Sequence, residues 1–394
     1  MKFSEFIDVR DGTHDSPKRV NVGKKLITTK NLEDNRIDFT NAKNISLNDF
    51  KRINERSKVD QFDILLSMIG TVGNVYQERA VFPDYAIKNL ALLKFHGDEL
   101  LSNWMNYYLQ SKKGQSKIHQ RLSGSTQQYI SLTDLRNIEI TLPDRDQMEL
   151  CIKPLRYLDD LILKNNQIND NLISQLKIIS NSYFSYFEAY NGKIPLDWSY
   201  IKLVDIANID AGYSYTSKEL VDSNIAMATI KNFDRTGGFN IRGFKEIKPN
   251  KIVKKEKYAK LFDILVAHTD LTQNADIIGN AEPILNTSKY SKIIYSMDLV
   301  KVTPKTEKIS PFLLALLLQG NRFKKHCLGY VNGTTVLHLS KKALKEFEFP
   351  FPTSFSDLDN IAKFAERNYK LISNNMKENQ KLQNLKQVLL NKFF

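Results

Sequence analysis

The chain has 394 residues, a 42% hydrophobic fraction and 22 Phe with 17 Tyr, so it is a folded protein of two to three domains and not a disordered one. Its net charge of +13 points to a polyanionic partner, for which nucleic acid is the first candidate. No run of eighteen apolar residues and no apolar leader at Met1–Asp8 is present, and Cys151 and Cys327 form no disulfide framework; the expected compartment is the cytoplasm, with no membrane partner.

In chain order, short β-type runs come first: Phe6–Val9 and Leu26–Thr29, separated by turn signals at Asp11-Gly12 and followed by one at Asp34-Asn35. Asp63–Met68 and Leu90–Phe95 are further strand candidates. From Glu99 to about Gln120 the apolar spacing turns helical, and Gly124 ends that stretch. A strand, a turn and a strand are expected over Tyr129–Leu132 and Asn137–Leu142, closed by Pro143. Between Asp146 and Tyr190 there is no glycine and a single proline, Pro154, placed in the early turns of a long helix. Leu158, Leu161, Asn165, Ile168, Leu172, Ile179 and Tyr186 form its expected seam. Asn191-Gly192 breaks it.

The whole pattern then repeats. Gly124-Ser-Thr through Thr-Leu-Pro143 returns as Gly333-Thr-Thr through Phe-Pro352 at an offset of 209, and Phe62-Asp-Ile-Leu65 returns as Phe262-Asp-Ile-Leu265 at an offset of 200. The second copy therefore holds about nine extra residues between Leu265 and Ile309. It also opens through Pro195-Leu-Asp-Trp198, an entry that the first copy, starting at the equivalent of Lys202, does not have. A period near 200 is far too long for a solenoid and marks a duplicated domain. The reading is an α+β chain of two mixed α/β globules, residues 1–145 and 193–352, each followed by a long helix, residues 146–192 and 353–394. About forty helical residues make a rod on the order of 60 Å. Such a stripe needs a partner, and the two rods pair with each other as a coiled coil. In the second rod the seam is Ile361, Phe364, Asn368, Leu371, Asn375, Leu382, Leu385 and Leu389. Asn at a seam position lowers stability but fixes register.

No phosphate-binding glycine loop, no methyltransferase tetrapeptide and no metal-ligand spacing occurs in the sequence, and His268 and His338 lack partners that repeat. The pattern is that of a binding protein without catalytic residues and without a metal. Polar loops supply candidate DNA-facing side chains, since donors and acceptors read base edges while Lys and Arg neutralise phosphates. In the first copy these are Arg10, Thr13, His14, Ser16, Lys18, Lys30, Asn31, Gln127, Gln128 and Tyr129. In the second they are Tyr213, Tyr215, Thr216, Lys231, Asn232 and His338. Lys30-Asn31 and Lys231-Asn232 are identical in both copies, which suits a backbone contact or a structural turn better than base reading.

Two variable globules, each followed by a similar long helix, with Gly-Ser/Thr-Thr ahead of Ile/Leu-Ser and a Pro leading into the rod, resemble the specificity (S) subunit of type I restriction-modification enzymes. The Arg10-Asp-Gly-Thr-His-Asp-Ser-Pro17 opening resembles the target-recognition domains of that family. The resemblance spans essentially the whole chain. It implies that each globule reads one half of a bipartite double-stranded DNA target, and that the rods pair antiparallel to set the unspecified gap. It further implies two methyltransferase (M) subunits carrying S-adenosylmethionine, and motor-nuclease (R) subunits using ATP and Mg²⁺ in systems that have them; this chain itself binds no cofactor. Tyr183, Phe184, Phe187, Phe393 and Phe394 are candidate docking residues for M. The alternatives are a stand-alone DNA-modifying enzyme or nuclease with an unrecognised site, and a helical assembly adaptor.

Overall fold

The computed structural model describes residues 1–394 except Asp34 and Thr236; nothing is stated for the side chains of Glu33 and Phe355. The Asp34 half of the expected Asp34-Asn35 turn thus lies outside the described residues. The chain forms two compact units, one of residues 1–161 with 382–394 and one of residues 162–381.

The first unit is built on an antiparallel sheet in the order Asp8–Asp11, Leu90–Lys94, Ile64–Ser67, Val75–Gln77. Leu90–Lys94 is buried on both faces, which explains its unbroken apolar run. A second sheet, Lys43–Ile45, Lys24–Ile27, Tyr85–Ile87, mixes antiparallel and parallel pairing. The expected single helix after Glu99 is two, Glu99–Gln110 and Lys112–His119. They meet at Ser111, whose hydroxyl caps the second by accepting from Gly114 N–H. The expected strands at 129–142 are a correction. Leu132–Arg136 is a helix, because Ser131 Oγ accepts from Asp134 N–H and donates to the Asp134 carboxylate.

The second unit repeats this frame. Its sheet runs Ala207–Ala211, Leu299–Pro304, Ile264–Ala267, Ala281–Pro283, and its second sheet is Lys245–Glu246, Ile225–Ala228, Lys292–Tyr295, Tyr258–Ala259. Matching the registers locates the extra residues. The offset is 200 where Leu66 answers Val266 and 206 where Val75 answers Ala281, so six of them lie in the connection 268–280. The entry missing from the first copy also has a structural correlate. Trp198–Lys202 pairs antiparallel with Glu348–Pro352, whereas the first unit keeps a shorter pairing, in which Lys2 bridges Glu139, Met1 and Ile140 exchange backbone hydrogen bonds and Phe3 N–H donates to Ile138 O.

The shared sequence motifs turn out to hold this frame. Phe62 and Phe262 both adopt positive φ, +69° and +70°, and their N–H groups donate to Glu78 O and Ile284 O. Asp63 and Asp263 accept from the N–H of Asp60 and Lys260. Gly124 and Gly333 sit at φ +91° and +113°, where a Cβ would strike the carbonyl of Gln127 or Val336.

The long helices are Arg145–Ser180 and Asp359–Phe393. The first continues as a π-helical turn, Asn181–Ser185. Because it begins at Arg145, Pro154 stands in its third turn and gives up the bond to the Leu150 carbonyl. Within the first unit, Met148, Ile152 and Leu155 pack into the core with Leu390, Leu158 is buried, and Lys386 Nζ meets Asp159 at 2.7 Å. Within the second unit the helices are antiparallel and joined by an asparagine ladder. Asn165 Nδ2 donates to Asn379 Oδ1 at 3.0 Å, Asn379 Nδ2 to Asn166 Oδ1 at 3.0 Å, and Asn375 Nδ2 to Asn169 Oδ1 at 2.8 Å. The expected seam is shifted in places. Ile168, Leu371 and Leu385 are exposed, while Asn169, Ile372 and Asn379 are buried. Polar residues occupy seam positions, so the apolar count selected the neighbouring face.

Candidate nucleic-acid interface

Sheet topology decides where the polar loops go. In the first unit Asp11 lies opposite Ala91 and Ser67 opposite Leu90, so the strand ends Asp11, Leu90 and Ser67 share one edge. Loops 12–23, 88–89 and 68–74 therefore emerge together. Thr13 bridges Lys88, and Ile69 and Gly70 are held to Tyr129 and Gln128. Thr29 of the 3₁₀ turn Thr29–Asn31 reaches the Asn89 carbonyl at 3.5 Å, which brings Lys30 to the same edge. The sequence candidates of the first copy, scattered over more than a hundred positions, thus converge.

Their roles differ. His14 is exposed, with Nδ1 3.0 Å from Asn89 Oδ1 and Nε2 2.9 Å from Asp11 Oδ2, so the loop pins the ring. Arg56 also pairs with Asp11, and Arg10 is committed to Asp8, at 2.6 Å, and to the Arg56 carbonyl. The Arg10 guanidinium holds the Asp8 carboxyl below its usual range. Thr13 Oγ1 accepts from Asp15 N–H, and Lys88 Nζ donates to Ser16 Oγ. Lys18, Lys30, Gln127, Gln128 and Tyr129 are exposed.

In the second unit the equivalent edge is Ala211, Leu299 and Ala267. Tyr213 bridges Ser296, and Thr269–Asp270 pairs with Leu337 and His338. Thr216, Lys231 and His338 are exposed and Tyr215 is half-buried. The Thr216 N–H and Oγ1 are both used by Glu219 Oε2. Hydrogen bonds from the Tyr213 hydroxyl and the Asn250 and Thr216 N–H groups hold the Glu219 carboxyl at about 2.

Three candidates are corrected by their burial. Asn31 is 5% exposed, accepting from Thr28 N–H and donating to Asp38 O. Asn232 is fully buried, with the same bonds to Thr229 N–H and Asn240 O. Both are turn-formers with no free amide atom, as their identity in the two copies suggested. Tyr213 is buried with its hydroxyl on Glu219 at 2.6 Å. Sequence reasoning missed Arg52, Arg56, Lys88 and Asn89 in the first unit. It also missed the lysine-rich stretch of the second, where Lys257 donates to the Ala211 carbonyl and Lys251 lies over the Tyr213 ring at 5.0 Å. The Lys-Lys-Glu-Lys run at 254–257 was the available signal.

The docking candidates also divide. Phe184 and Phe187 are buried inside the second unit, packed about Trp198, and Tyr183 packs on Phe184 and Tyr190. Burial corrects Phe184 and Phe187 as free docking surface. Phe393 and Phe394, in contrast, line a groove of ≈ 830 Å³ in the first unit with Trp104, Tyr108, Leu142 and Leu150. Among the described residues, no group of three His, Cys, Asp or Glu is placed to hold a metal ion, and no helix is long and apolar enough to cross a membrane.

A family model for the type I restriction modification DNA specificity domain matches the chain twice, over residues 18–177 and 195–384. The chain belongs to this family. It is a specificity subunit of a type I restriction-modification system, a DNA-recognition component with its recognition domain present in duplicate. It is 22% identical over 370 residues to the type I restriction enzyme MjaVIII specificity subunit of Methanocaldococcus jannaschii, covering 86% of this chain and 80% of that one. The MjaIX specificity subunit of the same organism is 23% identical over 145 residues, 34% of either chain. The crystal structure of a type I system S subunit from M. genitalium aligns over 100% of this chain and 95% of that one, with a TM-score of 0.49 and 17% identity.

Proposed function

We propose that each unit reads one half of a split DNA target with its loop edge, and that the chain leaves all covalent chemistry to partner subunits. The observation that carries this is the duplicated edge. The anchoring residues Phe62/Phe262, Gly124/Gly333 and Asn31/Asn232 are the same in the two units, while the loop tips they support differ almost throughout. A frame kept constant under variable tips is what a reader of two unrelated short sequences needs. The exposed residues Lys18, Lys30, Lys231 and Lys251, with the half-buried Lys88, supply phosphate contacts, and Gln127, Gln128, Thr216 and His338 supply base-edge donors and acceptors. The antiparallel helices fix the unspecified gap. The Phe393–Phe394 groove receives a methyltransferase subunit, which brings S-adenosylmethionine; ATP and Mg²⁺ belong to motor-nuclease subunits where a system has them. The site of action is the cytoplasm, on the cell's own DNA.

The test is to co-produce the chain with its methyltransferase and map methylated adenines across a genome. A motif of two specific halves around a fixed gap is expected. Exchanging residues 1–145 for those of another family member should change one half only. A change in both halves, or no specific motif from a stable complex, overturns the reading.

A further inference from the structure

Resting on that functional reading, the two reading edges differ in chemistry, and the difference lies in the tips. In the first unit the turn before the central strand carries Lys88 and Asn89, both engaged with the opening loop. In the second unit the same turn carries Met297, 59% exposed, and the enlarged connection after Ala267 carries Leu271, 67% exposed. Isolated exposed apolar residues are common on proteins. Here, however, two of them share one edge and each is mounted on a fixed frame.

Met297 N–H donates to Tyr213 O at 2.9 Å, and the neighbouring Asp298 carbonyl accepts from His268 N–H at 2.8 Å. Leu271 follows the buried Asp270, whose carboxylate accepts from Thr272 N–H and Oγ1 and, across the loop, from Ile277 N–H at 2.8 Å. The far side of that loop is stapled by Lys324. Its Nζ donates to the carbonyls of Asp276 and Ile278, at 2.9 and 2.6 Å, and to Asn280 Oδ1 at 2.8 Å. A loop so heavily bonded holds its apolar tip in water and does not fold it inward. The exposed Lys251, Lys254 and Lys255 beside this edge give it the charge to meet a phosphate backbone. Among the features that base pairs display in the major groove, the apolar one is the thymine C5-methyl.

We infer that Leu271 and Met297 read thymine methyl groups in the half-site met by the second unit. The experiment uses the full chain with its methyltransferase subunits. The target is first selected from a random duplex library, and the second unit's half is the one that survives exchange of residues 1–145. Each thymine in that half is then replaced by deoxyuridine, which removes only the methyl. Binding should weaken about fourfold per contacted methyl. The Leu271→Ser, Met297→Ser variant should bind the thymine and deoxyuridine duplexes equally and treat the first half-site as the wild type does. The inference falls if the wild type ignores deoxyuridine, if the variant keeps the wild-type penalty, or if the half contains no A·T pair. In each of these cases, lost binding on transversion in that half leaves the functional reading standing. If transversions in either half have no effect, both fall together.

Discussion

Gln115 in the first unit and Lys324 in the second occupy equivalent helix positions, and each reaches into the loop after a central strand. Gln115 Nε2 makes a single bond there, to Gly73 O at 2.9 Å, beside a second to Leu109 O on its own helical side. Lys324 makes several, to a loop six residues longer, and burial pulls its ammonium below the usual lysine range. The longer loop needed a stronger clamp, and a cation with three donors supplies what one amide cannot. A similar contrast separates the buried acids. Lys94 joins Asp63 at 2.7 Å and Asp60 at 2.8 Å in the first unit, whereas in the second Lys301 stays 3.9 Å from Asp263 and donates to Tyr258 O. The two copies share a backbone plan but hold it with different polar chemistry, so they should fail differently.

The largest difference is expected at the buried ion pairs. Lys94→Met strands Asp63 in the core and should cost about 3–5 kcal/mol, read by denaturant unfolding. Lys301→Met loses mainly one hydrogen bond and should cost about 1–2 kcal/mol; equal losses would erase the contrast. Next comes Glu282, fully buried in the second unit. Burial pushes its carboxyl up to about 7, Asp234 adds to the rise, and bonds from Gly238 N–H and Gln319 Nε2 with the charge of Lys177 oppose it. An acid raised on folding contributes stability below about 4.5, its ordinary value, and loses it as pH climbs through about 7. Glu282→Gln should therefore match the wild type near pH 4 and exceed it above pH 8 by about 3 kcal/mol. Tyr76 fills this place in the first unit, so no matching transition is expected there.

Releasing the loop clamps should matter less. Lys324→Met is expected to cost about 2 kcal/mol and to relax discrimination in the second half-site alone, with Gln115→Met costing about 1 kcal/mol. Methylation mapping of both variants checks the pairing of clamp and half-site. The smallest effect belongs to single phosphate contacts. Lys251→Ala should lower the slope of log affinity against log salt by about 0.9 without changing the target.

Much of this architecture was legible in the sequence. The duplication and the two long helices followed from offsets and glycine-free stretches, whereas the convergence of the polar loops on one edge needed the sheet register. Other parts were hidden by specific chemistry. Ser131 and Asp134 close a helix over residues that read as the turn between two strands, because the Ser131 cap satisfies a free N–H of a first helical turn there. The Asn169–Asn375 and Asn166–Asn379 bonds put polar residues where an apolar count seeks leucine. Asn31 and Asn232 stood among the DNA-facing candidates although their identity in the two copies suited a structural turn; the backbone groups that enclose them come from three positions before to eight positions after, which the fold supplies.

The Lys324 staple has a consequence for how such a protein can diversify. Its bonds go to backbone carbonyls and one amide beyond the loop tip, and none to the side chains of Leu271, Thr272, Gln273 or Asn274. Thr272 and Gln273 tie the loop to Asp270, Asp276 and the Thr334 carbonyl, so Leu271 and Asn274 are the positions that can be rewritten without loosening it. The second unit thus carries a short variable cassette whose inheritance of new sequence preferences is uncoupled from its ability to fold.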